Sequence, residues 1–142
     1  MVRSGSSERL FVTRQSARWR RLRDEDRLHD IAQRAGYSLA DPGAMSLVQQ
    51  IMVFKGARRI AGVSGAGMTN AVFSPQGAAV RLLVPASMPD TFFWFISQLR
   101  GHSYAEQRCP EIGQPPVDNV IHPNWNCDIA VPEEAFRRFL EA

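Results

Sequence analysis

The chain has 142 residues and a mass of 15.9 kDa, with 44% hydrophobic and 22% charged residues; this balance fits one soluble globular domain that buries its own core and excludes a disordered chain. No apolar run approaches the ~18 residues of a membrane span, Met1–Ser7 lacks the apolar stretch of a secretion signal, and two cysteines, Cys109 and Cys127, are too few for a disulfide framework or a structural zinc site. The net charge is +3, and sixteen of the seventeen basic residues are arginine, six of them between Arg14 and Arg27; a planar guanidinium suits bidentate recognition of phosphate or carboxylate, although a skewed genomic base composition produces the same bias.

Met1 to Glu8 is expected to be a disordered tail or a cloning scar, with residues 9–142 forming the domain. Arg9 to Thr13 reads as a short strand, followed by a polar loop from Arg14 to Arg21. Asp24 stands as an N-cap with acids behind it. Leu28, Ile31, Ala32 and Ala35 then fall on one helical face, which Gly36 ends. Tyr37 to Ala40 is a second strand, closed by the turn Asp41-Pro42-Gly43. Ser46 caps a helix with a broad apolar face of Leu47, Val48, Ile51, Met52 and Phe54, ending at Gly56. Ala57 to Val63 is a third strand that runs into the glycine-rich turn Ser64 to Asn70 and a short helix. Ala78 to Val84, apolar except for Arg81, suits a buried parallel strand. After a loop from Pro85 to Asp90, the helix Thr91 to Arg100 carries Phe92, Phe93, Trp94, Phe95 and Ile96, a run that predicts burial on more than one side or cover by another domain. Tyr104 to Arg108 is a candidate fifth strand. Cys109 to Pro132 holds five of the nine prolines and is expected to be irregular, and Pro132-Glu133-Glu134 opens a last helix with Phe136, Phe139 and Leu140 on one face. Strand and helix alternate throughout, which predicts a single α/β Rossmann-like domain, a parallel sheet flanked by helices.

In an open sheet of this kind, ligands bind beyond the carboxyl ends of the strands. The turn after the third strand ends there, at a helix N-terminus whose free amides suit a phosphate. Gly65 and Gly67 open the backbone to an anion, and Ser64 and Thr69 add hydroxyls. The spacing is neither a dinucleotide fingerprint nor a P-loop, and on spacing alone a tight turn that needs small residues for packing is the preferred reading. Arg14, just past the first strand, projects at the same edge and suits a diphosphate. For Arg18, Arg20 and Arg21 a solvated loop paired with Asp24, Glu25 and Asp26 is preferred. His29 is expected on the polar side of its helix, His102 at a helix end and His122 in the proline-rich segment; they show no metal-ligand spacing, and no metal or cofactor is expected.

These residues resemble a family. From Leu10 on, the chain is similar to the C-terminal half of family 61 glycosyltransferases, a group that includes bacterial capsular polysaccharide biosynthesis proteins, plant xylan-modifying transferases and animal O-linked N-acetylglucosaminyltransferases. Leu10-Phe11-Val12-Thr13-Arg14 is similar to the family's strand ending in Ser-Arg-Arg, and Arg20-Arg21 to its basic pair before the first helix. Gly62-Val63-Ser64-Gly65-Ala66-Gly67-Met68-Thr69-Asn70 resembles its most specific motif, Gly-x-His-Gly-Ala-x-Leu-Thr-Asn, and Phe73 to Ala78 follows in kind.

The resemblance implies the donor-binding half of a GT-B-type, inverting, metal-independent enzyme of polysaccharide or capsule synthesis. It implies that Arg14 and Ser64, Gly65, Ala66, Gly67, Met68, Thr69 and Asn70 hold the diphosphate of a UDP- or GDP-sugar. Three positions depart from the pattern: Ser64 stands where histidine is usual, Leu83 where an acidic residue able to hold a ribose is typical, and Arg23 where asparagine is common. The N-terminal half of such an enzyme is not in this sequence, so the chain is expected to be inactive alone, cytoplasmic, and to need that domain or a partner chain; apolar surface left bare by the missing domain could drive a homodimer. A degenerate binding or interaction module is the alternative. Nucleic-acid binding is disfavoured because Asp24, Glu25, Asp26 and Asp30 interleave the arginines.

Overall fold

The computed structural model describes residues 8–89, 91–115 and 123–142. Met1–Ser7 and His122 lie outside the described residues. Five strands, β1 (Arg9–Val12), β2 (Ser38–Ala40), β3 (Arg59–Val63), β4 (Ala79–Pro85) and β5 (Ser103–Cys109), form one parallel sheet in the order β2-β1-β3-β4-β5. The connections are α1 (Glu25–Arg34), α2 (Leu47–Lys55), a 3₁₀ helix (Ala66–Phe73) and α3 (Phe92–Arg100); α4 (Glu133–Glu141) closes the chain. This is the α/β Rossmann-like domain that the alternation predicts. No helix among the described residues is long and apolar enough to cross a membrane.

Strand side chains alternate between two cores. Phe11, Ala61, Val63 and Leu83 face α1 and α4, where Leu28, Ile31, Phe136 and Leu140 meet them. Leu10, Val12, Ile60, Val80 and Leu82 face the other way, onto Phe54 of α2, Met68 and Ala71 of the 3₁₀ helix and Phe93 of α3. The C-terminus of α4 is held at the sheet by cations: Arg59 Nε donates to the Leu140 carbonyl (3.1 Å) and Arg81 Nε to that of Ala142 (3.1 Å). Both charges suit the negative end of a helix.

Local chemistry departs from expectation at several points. Ser46 makes the full capping box with Gln49, but the Asp24 carboxylate caps nothing: its backbone is left-handed (φ 53°), not the extended form that aims an N-cap side chain at the first turn. Cys109 to Pro132 is less irregular than its prolines suggest, because β6 (Glu111–Ile112) and β7 (Asp128–Ile129) pair antiparallel. The broad apolar face of α2 is not buried; Phe54 is the helix's one buried residue, and Leu47, Val48 and Met52 face solvent. In α3 only Phe93 and Ser97 are buried, so the expected burial on several sides does not occur within the described chain. Cys109 and Cys127 are both buried free thiols; burial pushes the Cys109 thiol up to about 11.

His29 is not on a solvated face. It is buried, with its ring 5.8 Å from that of Phe11. His102 is buried too, its Nε2 3.4 Å from the Ser74 carbonyl and its Nδ1 without a partner among the described residues. Desolvation lowers both imidazoles below the ordinary 6.5. As pH falls below that value the unfolded chain takes up protons that the folded chain refuses. The stability that the neutral rings contribute is complete above 6.5 and is lost on acidification through the lowered folded values. Urea midpoints measured from about pH 7 to about pH 5 are expected to fall, with the fall reduced in His29→Gln.

Candidate functional site

β1 and β3 are parallel neighbours, paired Val12 to Gly62. The chain leaves β1 for β2 on one side and β3 for β4 on the other. The connections therefore diverge at the carboxyl ends of these two strands, which is where an open α/β sheet offers a ligand crevice. Arg14 follows β1 and the turn Ser64–Asn70 follows β3, so both flank this point.

Close neighbours account for the glycines of the turn. A Cβ on Gly62 would lie 2.7 Å from the Val12 carbonyl oxygen, and one on Gly67 would lie 3.1 Å from Pro42 Cγ. A Cβ on Gly65 would overlap Arg14 Nη1, so the guanidinium lies directly on this residue. The turn then enters the 3₁₀ helix, with Met68 N donating to the Gly65 carbonyl (3.0 Å). The first amides of such a helix have no partner within it. Among the described residues, those of Gly65, Ala66 and Gly67 donate to no backbone carbonyl.

The predicted residues divide into two groups. Arg14, Gly65, Ala66, Gly67 and Thr69 lie at the sheet edge, with Ala66 and Thr69 exposed. Met68 is core, fully buried under Gly62. Asn70 is a lock: its Nδ2 donates to Gln50 Oε1 (2.7 Å) and the Gly67 carbonyl (3.2 Å), while Gln50 Nε2 donates to the carbonyls of Pro42 and Met45. Ser64 is buried, continuing the sheet through its amide to the Leu83 carbonyl (2.9 Å). Leu83, where the family pattern carries an acid, is sealed in the core beneath α1 and α4.

Arg14 is a half-committed cation. Its Nε and Nη2 both donate to the Trp19 carbonyl (3.2 and 3.0 Å), and Nη1 has no acceptor among the described residues. Burial, together with repulsion from Arg20 and against the pull of Asp41, brings Arg14 down to about 10, so it remains charged at neutral pH. Asp41 does not neutralise it by contact. One carboxylate oxygen takes Ser16 N (2.9 Å), and the other takes Ser16 Oγ (2.7 Å) and Gly43 N (3.2 Å), which pins the Arg14 loop to the loop after β2.

Arg20 was not legible as a functional residue. Its neighbour Arg21 pairs with Glu25, whereas the Arg20 guanidinium reaches across the fold. From a left-handed backbone (φ 60°) it donates Nη1 to the Ser64 carbonyl (2.6 Å), Nε to the Trp125 carbonyl (2.7 Å) and Nη2 to Asn126 Oδ1 (3.0 Å). It thus ties the glycine turn to a segment over a hundred residues away, a relation without local sequence signal. Thr13, between β1 and Arg14, was also passed over. It is 3% exposed, and its Oγ1 has no partner among the described residues. An orphaned buried hydroxyl costs about 1–3 kcal/mol. Thr13→Val is therefore expected to raise stability by about 1 kcal/mol, seen as a melting point roughly 3–5 °C higher; a lower one would show that the hydroxyl has a partner.

The site is an open edge. Two concave depressions lie elsewhere on the surface, one lined by Arg81, Gln107 and Arg138 and one by Arg23, Leu28 and Val131. The described residues include no group of three or more His, Cys, Asp or Glu placed to hold a metal ion; the charge at the edge comes from guanidinium and amide groups.

The search of curated proteins returned no match. The family model described as Glycosyltransferase 61 matches residues 3–81, more than half of the chain, and that span includes Arg14, Arg20 and the whole Ser64–Asn70 turn. The chain belongs to the glycosyltransferase 61 family, and membership implies a sugar donor.

Proposed function

We propose that this chain is the donor-binding domain of an inverting, metal-independent glycosyltransferase of polysaccharide or capsule synthesis, with Arg14 and the turn from Ser64 to Asn70 seating the diphosphate of a UDP- or GDP-sugar. The observation that carries this reading is Arg14: a largely buried cation at the switch point of the sheet, laid on Gly65, with one amino group unused and no carboxylate in contact among the described residues. A desolvated cation repelled by a second guanidinium gains from an added anion, and a diphosphate offers two charges and bidentate geometry.

The guanidinium covers the Gly65 end of the turn, so Nη1 meets the ligand first, and the exposed Ala66 and Thr69 lie beyond it. Within the turn the roles are unequal: the amides of Gly65, Ala66 and Gly67 and the Thr69 hydroxyl face the ligand, whereas Ser64, Met68 and Asn70 hold the turn in shape. An acceptor hydroxyl attacks the anomeric carbon as the bond to the nucleoside diphosphate breaks. The charge that develops on the leaving diphosphate is met by Arg14 and the amides, which are already oriented. The base that takes the hydroxyl proton belongs to the domain across the cleft of a GT-B enzyme, so the chain binds donor but does not transfer sugar alone. A cytoplasmic location agrees with two buried free thiols.

A second reading, a degenerate module that binds no nucleotide, draws on Ser64 and Leu83, both buried where the family pattern carries histidine and an acid. Calorimetry with UDP, GDP and UDP-sugars separates the two. Saturable binding is expected, and absence of heat at millimolar ligand selects the degenerate module. Sugar transfer by the chain alone, at rates typical of an enzyme, overturns the view that a second domain completes the site.

A further inference from the structure

α2, the 3₁₀ helix and α3 lie side by side on one face of the sheet. Leu47, Val48 and Met52 on α2, and Phe92, Phe95 and Leu99 on α3, are each more than half exposed, Leu99 at 85%. Phe73, partly exposed on the 3₁₀ helix, lies in the layer between them. The only charged residues of the two helices are Lys55 and Arg100, each in its last turn, and Arg100 is folded back onto the Ser74 carbonyl (3.1 Å). The rest of both helices carries no charge.

We propose that this face is a self-association surface, on which a second copy of the chain packs the same α2–α3 face about a two-fold axis. Three features favour a like partner. Phe92, Phe95 and Leu99 stand at i, i+3 and i+7, a single stripe along α3. When two such stripes cross antiparallel, Phe92 meets Leu99 of the partner subunit and Phe95 meets its own equivalent, the self-complementarity that a two-fold interface requires. With roughly 150–250 Å² for a large apolar side chain, the exposed parts of this layer come to on the order of 800 Å². That is about one partner's share of a standard interface, and it exceeds the ~300–600 Å² of the largest patch on an ordinary monomer. A surface without charge also opposes an identical surface without repulsion. The proposal does not depend on the donor site, which lies at the sheet edge.

The test is the sedimentation of the full chain from low micromolar to about 100 µM. Twice the 15.9 kDa chain mass is expected, with Leu99→Glu and Phe95→Glu each weakening the dimer by at least about 100-fold. Both side chains face water in a single copy, so the substitutions bury no charge in the monomer; circular dichroism and melting of the diluted variants should match the parent. A monomer at every concentration overturns the proposal, as does a dimer that both variants leave intact. A monomer that floats with lipid vesicles, and is released by Leu99→Glu, overturns it in favour of a membrane surface.

Discussion

Arg14→Ala is expected to weaken binding of a nucleoside diphosphate by at least about 100-fold in calorimetry, since a charge-assisted hydrogen bond is worth ~1.5–3 kcal/mol and a diphosphate accepts more than one. The guanidinium already lies on Gly65, so the ligand need not reorganise it; most of its attraction appears as affinity. Removing the side chain also frees the Trp19 carbonyl from its two donors, a structural loss of ~1 kcal/mol that a melting curve reports separately. Arg14→Lys resolves the remaining ambiguity. It restores the charge but not the planar fork, which here spends one edge on Trp19 and offers the other to the ligand. Binding should therefore recover only in part. A dissociation constant for Arg14→Ala within threefold of the parent, with the fold intact, removes the donor site from this edge.

The sequence disclosed the sheet well and its covering poorly, and the reason is physical. β1, β3 and β4 carry apolar residues on both faces, so a buried parallel strand was legible locally. Asp41-Pro42-Gly43 was legible as a turn because its chemistry is local, and Arg14 was placed at the edge of the glycine turn by topology alone. For α2 and α3 the sequence shows an apolar helix face that wants cover, not what covers it; among the described residues, one face of each is met by the sheet side and the other stays bare. β6 and β7 escaped because two-residue strands have no periodicity and pair across some fifteen residues. Met68 and Asn70 sat inside the right motif with a different duty, since a motif read as a string does not separate the atoms that face a ligand from those that hold the turn in shape. Arg20 was beyond reach altogether: its partners, the Trp125 carbonyl and Asn126, meet it only through tertiary structure.

Gly62→Ala should be the most destabilising single-methyl change in the sheet. The position pairs with Val12 in the β1–β3 ladder. A Cβ there would lie 2.7 Å from the Val12 carbonyl oxygen, 3.0 Å from Met68 Sδ and 3.0 Å from Val12 Cβ. The first of these is backbone, which cannot swing aside as a side chain can; relief requires β1 and β3 to part between the two cores. Overpacking of this kind costs about 1–3 kcal/mol and more where the neighbour is rigid, so a loss of about 3 kcal/mol and a fall in melting temperature of roughly 10 °C are expected. Gly77→Ala is the control. Its φ of +83° strains any side chain, but among the described residues no atom beyond its chain neighbours lies within 4 Å of the added methyl, so its cost stays near 1 kcal/mol. The two changes differ in reach as well as in size. Gly62 leads through Val63 into the Ser64–Asn70 turn, so a displaced strand end carries the turn away from Arg14, and donor binding should weaken even at temperatures where the variant is folded. Gly77 precedes β4 at the opposite end of the sheet and should leave binding untouched. A Gly62→Ala protein that melts within about 2 °C of the parent would mean that β1 and β3 do not approach as closely as the structure shows, and with them Arg14 and Gly65.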